Sequence, residues 1–167
     1  MTDSTDGVSA WVDHTSALDR VRSIASTVSE PRPLQYIANE AQVSETTTSE
    51  YLARLVDLHV LQKTSREGEV VYSPDPLYTR LETIRELLTE HDQEELVKLR
   101  SALQSQLDDW REEYGVESPA DLRTQAAESE TAARARKIRK DAQDWELVAY
   151  RLSLVEEAIE MDWEHIP

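Results

Sequence analysis

Val43-Ser-Glu-Thr-Thr-Thr-Ser-Glu-Tyr-Leu-Ala-Arg-Leu-Val-Asp-Leu-His-Val-Leu61 is the stretch from which the architecture can be read. Ser44 has the side chain of an N-cap, a hydroxyl able to accept from a first-turn N–H. A helix is therefore expected from Glu45 to about Leu58. Thr48, Leu52, Leu55 and Leu58, spaced four, three and three, fall on its inner face. Thr46, Thr47, Ser49, Glu50 and Arg54 are left toward solvent or the edges. His59 then sits where the helix must end, a position that favours a left-handed conformation.

Working upstream, Leu34 to about Ala41 reads as a short helix burying Ile37, Ala38 and Ala41, with a tight turn at Val43-Ser44. Glu30-Pro31-Arg32-Pro33 separates it from an earlier helix, Asp13 to Val28, whose apolar positions are Leu18, Val21, Ile24, Ala25 and Val28. Residues 1–12 are expected as a flexible tail. Downstream, Val60–Lys63 and Glu69–Tyr72 read as extended, joined by a polar tip over Thr64–Gly68. Three helices followed by a β-hairpin is the order of a winged helix-turn-helix domain, here residues 13–73.

From residue 74 onward the pattern is helical. Asp75-Pro76 opens a helix to about Thr89 with Leu77, Leu81, Ile84 and Leu88 on one side. Asp92 and Glu95 match a capping box for a helix reaching Tyr114, with Leu96, Leu99, Leu103, Leu107, Trp110 and Tyr114 as its stripe and Gly115 as its stop. Ser118-Pro119 starts a short helix. A last helix, about Thr131 to Met161, carries a heptad-like seam of Ile138, Trp145, Val148, Leu152, Val155 and Ile159, with Ala142 near the first gap. Its apolar face must be covered by another helix, from the same chain or from a second copy. The expected class is mainly α with a small β-hairpin, residues 74–167 forming a long-helix, coiled-coil-like dimerisation region. Leu103, Leu107, Trp110, Trp145, Val148, Leu152, Val155 and Ile159 are its candidate dimer contacts.

Charge bounds the chemistry. The 167 residues hold 34 acidic and 18 basic side chains, a formal net charge of −16, with no cysteine and no phenylalanine. Lysine occurs only at Lys63, Lys98, Lys137 and Lys140. High acid with low lysine suits a surface that stays hydrated in concentrated salt, where the Debye length falls to roughly 3 Å, and points to a halophile. Without cysteine there is neither a disulfide framework nor a thiolate metal site. The acidic start, and the lack of a long apolar run, point to a cytoplasmic protein with no membrane partner.

With those residues in view, the segment Val43–Leu61 resembles the turn and recognition helix of winged-helix regulators of the ArsR, MarR and TrmB kind. The chain resembles more closely a group of haloarchaeal ArsR-like regulators that open with Trp-Val-Asp-His-Thr-Ser, here Trp11–Ser16. The resemblance is strongest over residues 11–73. It implies a sequence-specific transcriptional regulator that binds double-stranded DNA as a homodimer, without cofactor or catalysis. Two copies would present their recognition helices to half-sites about one DNA turn apart. It implies base-reading candidates at Thr46, Thr47, Ser49 and Glu50, with Glu45 beside them. Arg54 is placed for a phosphate, Arg66 stands at the wing tip and Lys63 at its base. Two positions depart from the pattern. ArsR-like helices commonly carry Arg or Lys where Glu50 stands, and Gly where His59 stands. Residues 1–75 also carry six basic against twelve acidic side chains, whereas DNA-binding domains are ordinarily basic. A winged helix that has lost DNA contact and serves protein assembly is the rival reading.

Other features have local explanations. Arg134-Ala-Arg-Lys-Ile-Arg-Lys140 is the one dense basic run, open to flanking DNA or to pairing with Glu112, Glu113 and Glu117. His14, His59, His91 and His165 lack ligand spacing. Trp110, Trp145 and Trp163 suit a helical core better than an effector pocket. No phosphate loop or nucleophile motif is present. The charge balance yields a first expectation. Self-repulsion should loosen the fold in dilute buffer, so the melting temperature should rise steadily toward molar potassium chloride. A flat or falling calorimetric series would remove the inference of salt adaptation.

Overall fold

The computed structural model describes residues 3–161. Its elements run α1 (Asp3–His14), α2 (Ala17–Thr27), β1 (Arg32–Pro33), α3 (Leu34–Ala41), α4 (Glu45–Asp57), β2 (Leu61–Arg66), β3 (Glu69–Pro74), α5 (Pro76–Glu90), α6 (Gln93–Tyr114), α7 (Pro119–Ala127) and α8 (Ala132–Glu160). The protein is mainly helical with one small antiparallel sheet, ordered β1-β3-β2. It divides into two compact units, Met1–Leu81 and Glu82–Pro167. The boundary falls inside α5, beyond the expected division at residue 73.

In the first unit, Val21, Ala25, Ile37, Ala41, Leu52, Leu55, Val60 and Leu61 form one buried core, joined at its margin by Tyr51, Tyr72 and Tyr78. Turns set the angles between its helices. Gln42 takes a left-handed conformation at the end of α3. The Val43 N–H then reaches back to the Ala38 carbonyl at 3.0 Å, closing a Schellman turn. Ser44 caps α4 as expected, its Oγ accepting the Thr47 N–H at 3.2 Å.

Four readings are corrected here. Residues 1–12 are not simply a tail, because α1 covers Asp3–His14. The helix expected from Asp13 begins only at Ala17, where Ser16 Oγ accepts the Asp19 N–H at 3.1 Å. Both differences trace to Arg20, a buried guanidinium. Its Nη1 donates to the carbonyls of Val12 at 3.0 Å and Thr15 at 2.7 Å, its Nε donates to the Ala41 carbonyl at 2.9 Å, and it lies over the Trp11 ring. The ends of α1 and α3 are thereby tied to α2. In the hairpin, pairing continues to Arg66↔Glu69, so the tip is Glu67-Gly68 alone. Both tip residues have positive φ, 54° and 86°, as a type I′ turn requires. The third strand, β1, pairs Arg32 with Tyr72 and Pro33 with Val71, where only a helix stop was expected.

The second unit is held by two clusters. Ile84, Leu87, Leu96, Leu103, Leu154, Val155 and Ala158 form one. Leu107, Leu122, Ala126, Ile138, Ala142 and Trp145 form the other. The capping box at Asp92 and Glu95 is present on α6, and Gly115 ends that helix with φ 63°. On α5 the expected stripe is shifted, with Leu87 buried and Leu77 and Leu81 exposed.

The α8 seam is covered from within the chain. Leu103, Leu107, Trp145 and Val155 are buried in these clusters, and Trp110, Val148, Leu152 and Ile159 pack against them. As dimer contacts these eight residues are corrected to intrachain core. Periodicity shows that a face is buried, not which helix buries it. Trp110 and Trp145 stack with ring centres 6.1 Å apart. A cleft of about 650 Å³ in this unit is lined by Glu113, Tyr114, Gln125, Glu128, Thr131 and Arg134, not by the tryptophans. Trp163 and His165 lie outside the described residues.

The basic run on α8 splits in two. Lys137 donates to Glu113 at 3.1 Å, Tyr114 at 2.8 Å and Asp141 at 2.7 Å, and Lys140 donates to Asp144 at 2.6 Å. Burial and the hydrogen bond to Asp141 push the Tyr114 phenol above its ordinary value. Burial works against ionisation of Asp141, but the bonds from Lys137 and Tyr114 outweigh it and hold the carboxyl below the usual range. Arg134, Arg136 and Arg139 are exposed and have no ion-pair partner among the described residues.

Removing Arg20 should be the costliest single change in the first unit. Arg20→Met keeps apolar bulk but leaves three carbonyls without their donor, an expected loss of about 3 kcal/mol. Urea unfolding measures it, and a loss under about 1 kcal/mol would remove the assigned role.

Candidate nucleic-acid interface

Helix α4 separates its residues by face. Thr48, Leu52 and Leu55 are buried and anchor it to the core. Glu45, Thr46, Ser49, Glu50 and Arg54 are exposed, as the spacing predicts. Thr47 is half-buried, and its hydroxyl accepts from Ser44 Oγ at 3.0 Å while its own proton stays available. Leu58, expected on the inner face, is instead 67% exposed. The left-handed turn at His59 carries the chain away one residue earlier than the heptad spacing implies. Thr48 Oγ1 is buried without a hydrogen-bond partner among the described residues, so Thr48 serves packing and presents nothing outward.

The end of α4 joins this surface to the hairpin. His59 has φ 57°. The Val60 N–H donates to the Leu55 carbonyl at 2.9 Å, and the His59 N–H donates to Val56 at 3.0 Å. This is a second Schellman turn, with Val60 and Leu55 making its apolar contact in the core. The hairpin follows at once and α4 packs against β2. Leu61, Val71 and Ser73 are buried at its base, whereas residues 63–70 are all exposed. Lys63 stands opposite Tyr72, and Arg66 stands beside the tip, opposite Glu69.

The electrostatics single out three side chains. Through most of the chain, bases are engaged by nearby groups. Arg32 pairs with Glu30, Arg85 with Glu82, Lys98 with Glu94, Arg111 with Asp108, and Arg123 with Glu146. Arg22 donates to the Tyr78 hydroxyl at 3.1 Å. In the first unit, Arg54, Lys63 and Arg66 make no ion pair or side-chain hydrogen bond among the described residues. These are the three bases that the sequence pattern assigned to a nucleic-acid backbone. An incoming phosphate would displace no existing pair there.

A family model matches residues 15–163. The chain belongs to DUF7342, a family of unknown function. No curated protein and no solved structure matches it. The match begins at Thr15, so this DUF7342 chain shares with its family both the α4–hairpin surface and the helical second unit. Among the described residues, no group of His, Asp or Glu is arranged to hold a metal ion, and no helix is long and apolar enough to cross a membrane.

Sequence reasoning missed Arg20, since a buried arginine bonded only to carbonyls leaves no local signature. The left-handed strain at His59 was legible. His59→Gly should remove it and stabilise the fold by about 1 kcal/mol, a rise of roughly 3 °C in the melting midpoint. A destabilised variant would show that the His59 side chain makes a contribution beyond the turn.

Proposed function

We propose that the first unit is a winged helix-turn-helix module, and that the chain is a sequence-specific DNA-binding transcriptional regulator. The observation that carries this reading is the coincidence of unpaired bases with an exposed hydroxyl-rich helix start. Thr46, Ser49 and the free proton of Thr47 supply donors and acceptors of the size that major-groove edges accept. Arg54, Lys63 and Arg66 supply cations for the flanking backbone. Two copies acting together would read two half-sites. The acidic Glu45 and Glu50 would oppose phosphate at low ionic strength. In molar salt that repulsion is screened, and direct contacts rather than counterion release dominate.

The acidity of the same helix favours a second reading, in which the surface docks a protein and not DNA. Mobility shift in molar potassium chloride, on the DNA upstream of the protein's own coding sequence, separates the two. Thr46→Ala and Ser49→Ala should each weaken the cognate site about fivefold or more while leaving random DNA unchanged. Arg54→Ala and Arg66→Ala should weaken both alike and flatten the salt dependence. If all four variants bind like the parent, or the parent binds no DNA, the groove-reading model fails and protein docking replaces it.

A further inference from the structure

Helix α8 has a second face that its own chain leaves open. Arg136, Arg139, Gln143, Leu147 and Tyr150 recur at spacings of three and four, so they share one side of the helix. All five are exposed, Leu147 by 66% and Tyr150 by 48%. The carboxylates nearest this strip are already held, Asp144 by Lys140 and Glu146 by Arg123. An apolar pair bordered by free arginines has the make-up of a protein interface rather than of a solvated helix face.

Charge identifies the occupant. N-terminal to Leu147 the helix is basic, with Arg134, Arg136 and Arg139 unpaired among the described residues. C-terminal to Tyr150 it is acidic, with Glu156 and Glu160 exposed. There Leu154 is buried in the cluster that contains Ile84 and Leu87 of α5, and α5 exposes Glu86 and Glu90. The strip is thus positive at one end and negative at the other. We infer that it docks a second copy of this chain, with the two α8 helices crossing antiparallel about a two-fold axis between Leu147 and Tyr150. Leu147 then meets the partner's Tyr150, and each basic end meets the partner's acidic end, a self-complementary arrangement. A parallel crossing would instead oppose arginine to arginine.

This inference deepens the dimeric part of the proposed function and does not depend on DNA binding. The test uses the full chain in molar potassium chloride, without nucleic acid. Light scattering at tens of micromolar should return twice the 19.1 kDa chain mass. Leu147→Glu should return the single-chain mass with an unchanged melting midpoint, because the side chain is exposed. A monomeric parent, or a Leu147→Glu protein that remains dimeric, would overturn the interface. The chain has no cysteine, so orientation is testable by oxidation. Mixed Leu147→Cys and Tyr150→Cys proteins should cross-link to each other several-fold faster than either does alone, and the reverse order would overturn the antiparallel crossing. If the parent is monomeric and Arg136→Glu with Arg139→Glu abolishes a DNA shift, the strip serves nucleic acid and the dimer proposal fails. A monomer that still shifts DNA would sink this interface alone. A dimer that never shifts DNA would sink only the DNA reading.

Discussion

The first unit depends on one guanidinium. Arg20 is buried on α2 with no carboxylate beside it, and its charge is balanced by three main-chain carbonyls. Two belong to the end of α1 and the link that follows it, and the third to the last residue of α3. A helix C-terminus carries partial negative charge and unsatisfied acceptors, so a single planar fork can close two such ends at once. Lysine, a point charge on a flexible stem, would not reproduce this geometry. The constraint reaches the candidate interface, because Ala41 immediately precedes the left-handed Gln42 and the cap of α4. The direction in which α4 presents Thr46 and Ser49 follows from where Arg20 holds the end of α3.

Legibility in the sequence followed the range of the interactions. Helices α3 and α4, the cap at Ser44, the box at Asp92 and Glu95, and the stop at Gly115 are set by contacts within four residues, and each was readable. Strand β1 is two residues long and exists only through its pairing with β3, so nothing local announces it. The polar composition of residues 3–10 hid α1, whose end is fastened by Arg20 from another helix. The α8 seam was readable as a buried face, yet its intrachain partners were not, since apolar spacing carries no address. Among the candidate contacts, exposure of Glu45, Thr46, Ser49, Glu50, Arg54, Lys63 and Arg66 was readable. The engagement of Thr47 by Ser44 was not, because either threonine or serine can serve the cap.

An acidic chain makes its unpaired bases informative. Each exposed ion pair adds little to stability, but together the pairs absorb positive charge and leave the outer surface uniformly negative. Cations that escape pairing then become the only features an anionic partner can distinguish. They gather on the α4–hairpin surface and at the start of α8, with Arg100 and Arg151 standing apart as single sites. In concentrated salt, where long-range attraction is screened to a few ångströms, recognition rests on such short-range contacts.

The tryptophans give the two units separate optical signatures. Trp11 lies beneath Arg20 in the first unit, whereas Trp110 and Trp145 stack with an interplanar angle of 16° in the second. Indoles held that close couple their excited states, so their circular dichroism band depends on the pair staying in register. Quenching of Trp11 by the overlying guanidinium depends instead on α1 remaining in place. One unlabelled sample can therefore report, through two chromophores, whether the halves of the molecule melt together or in succession.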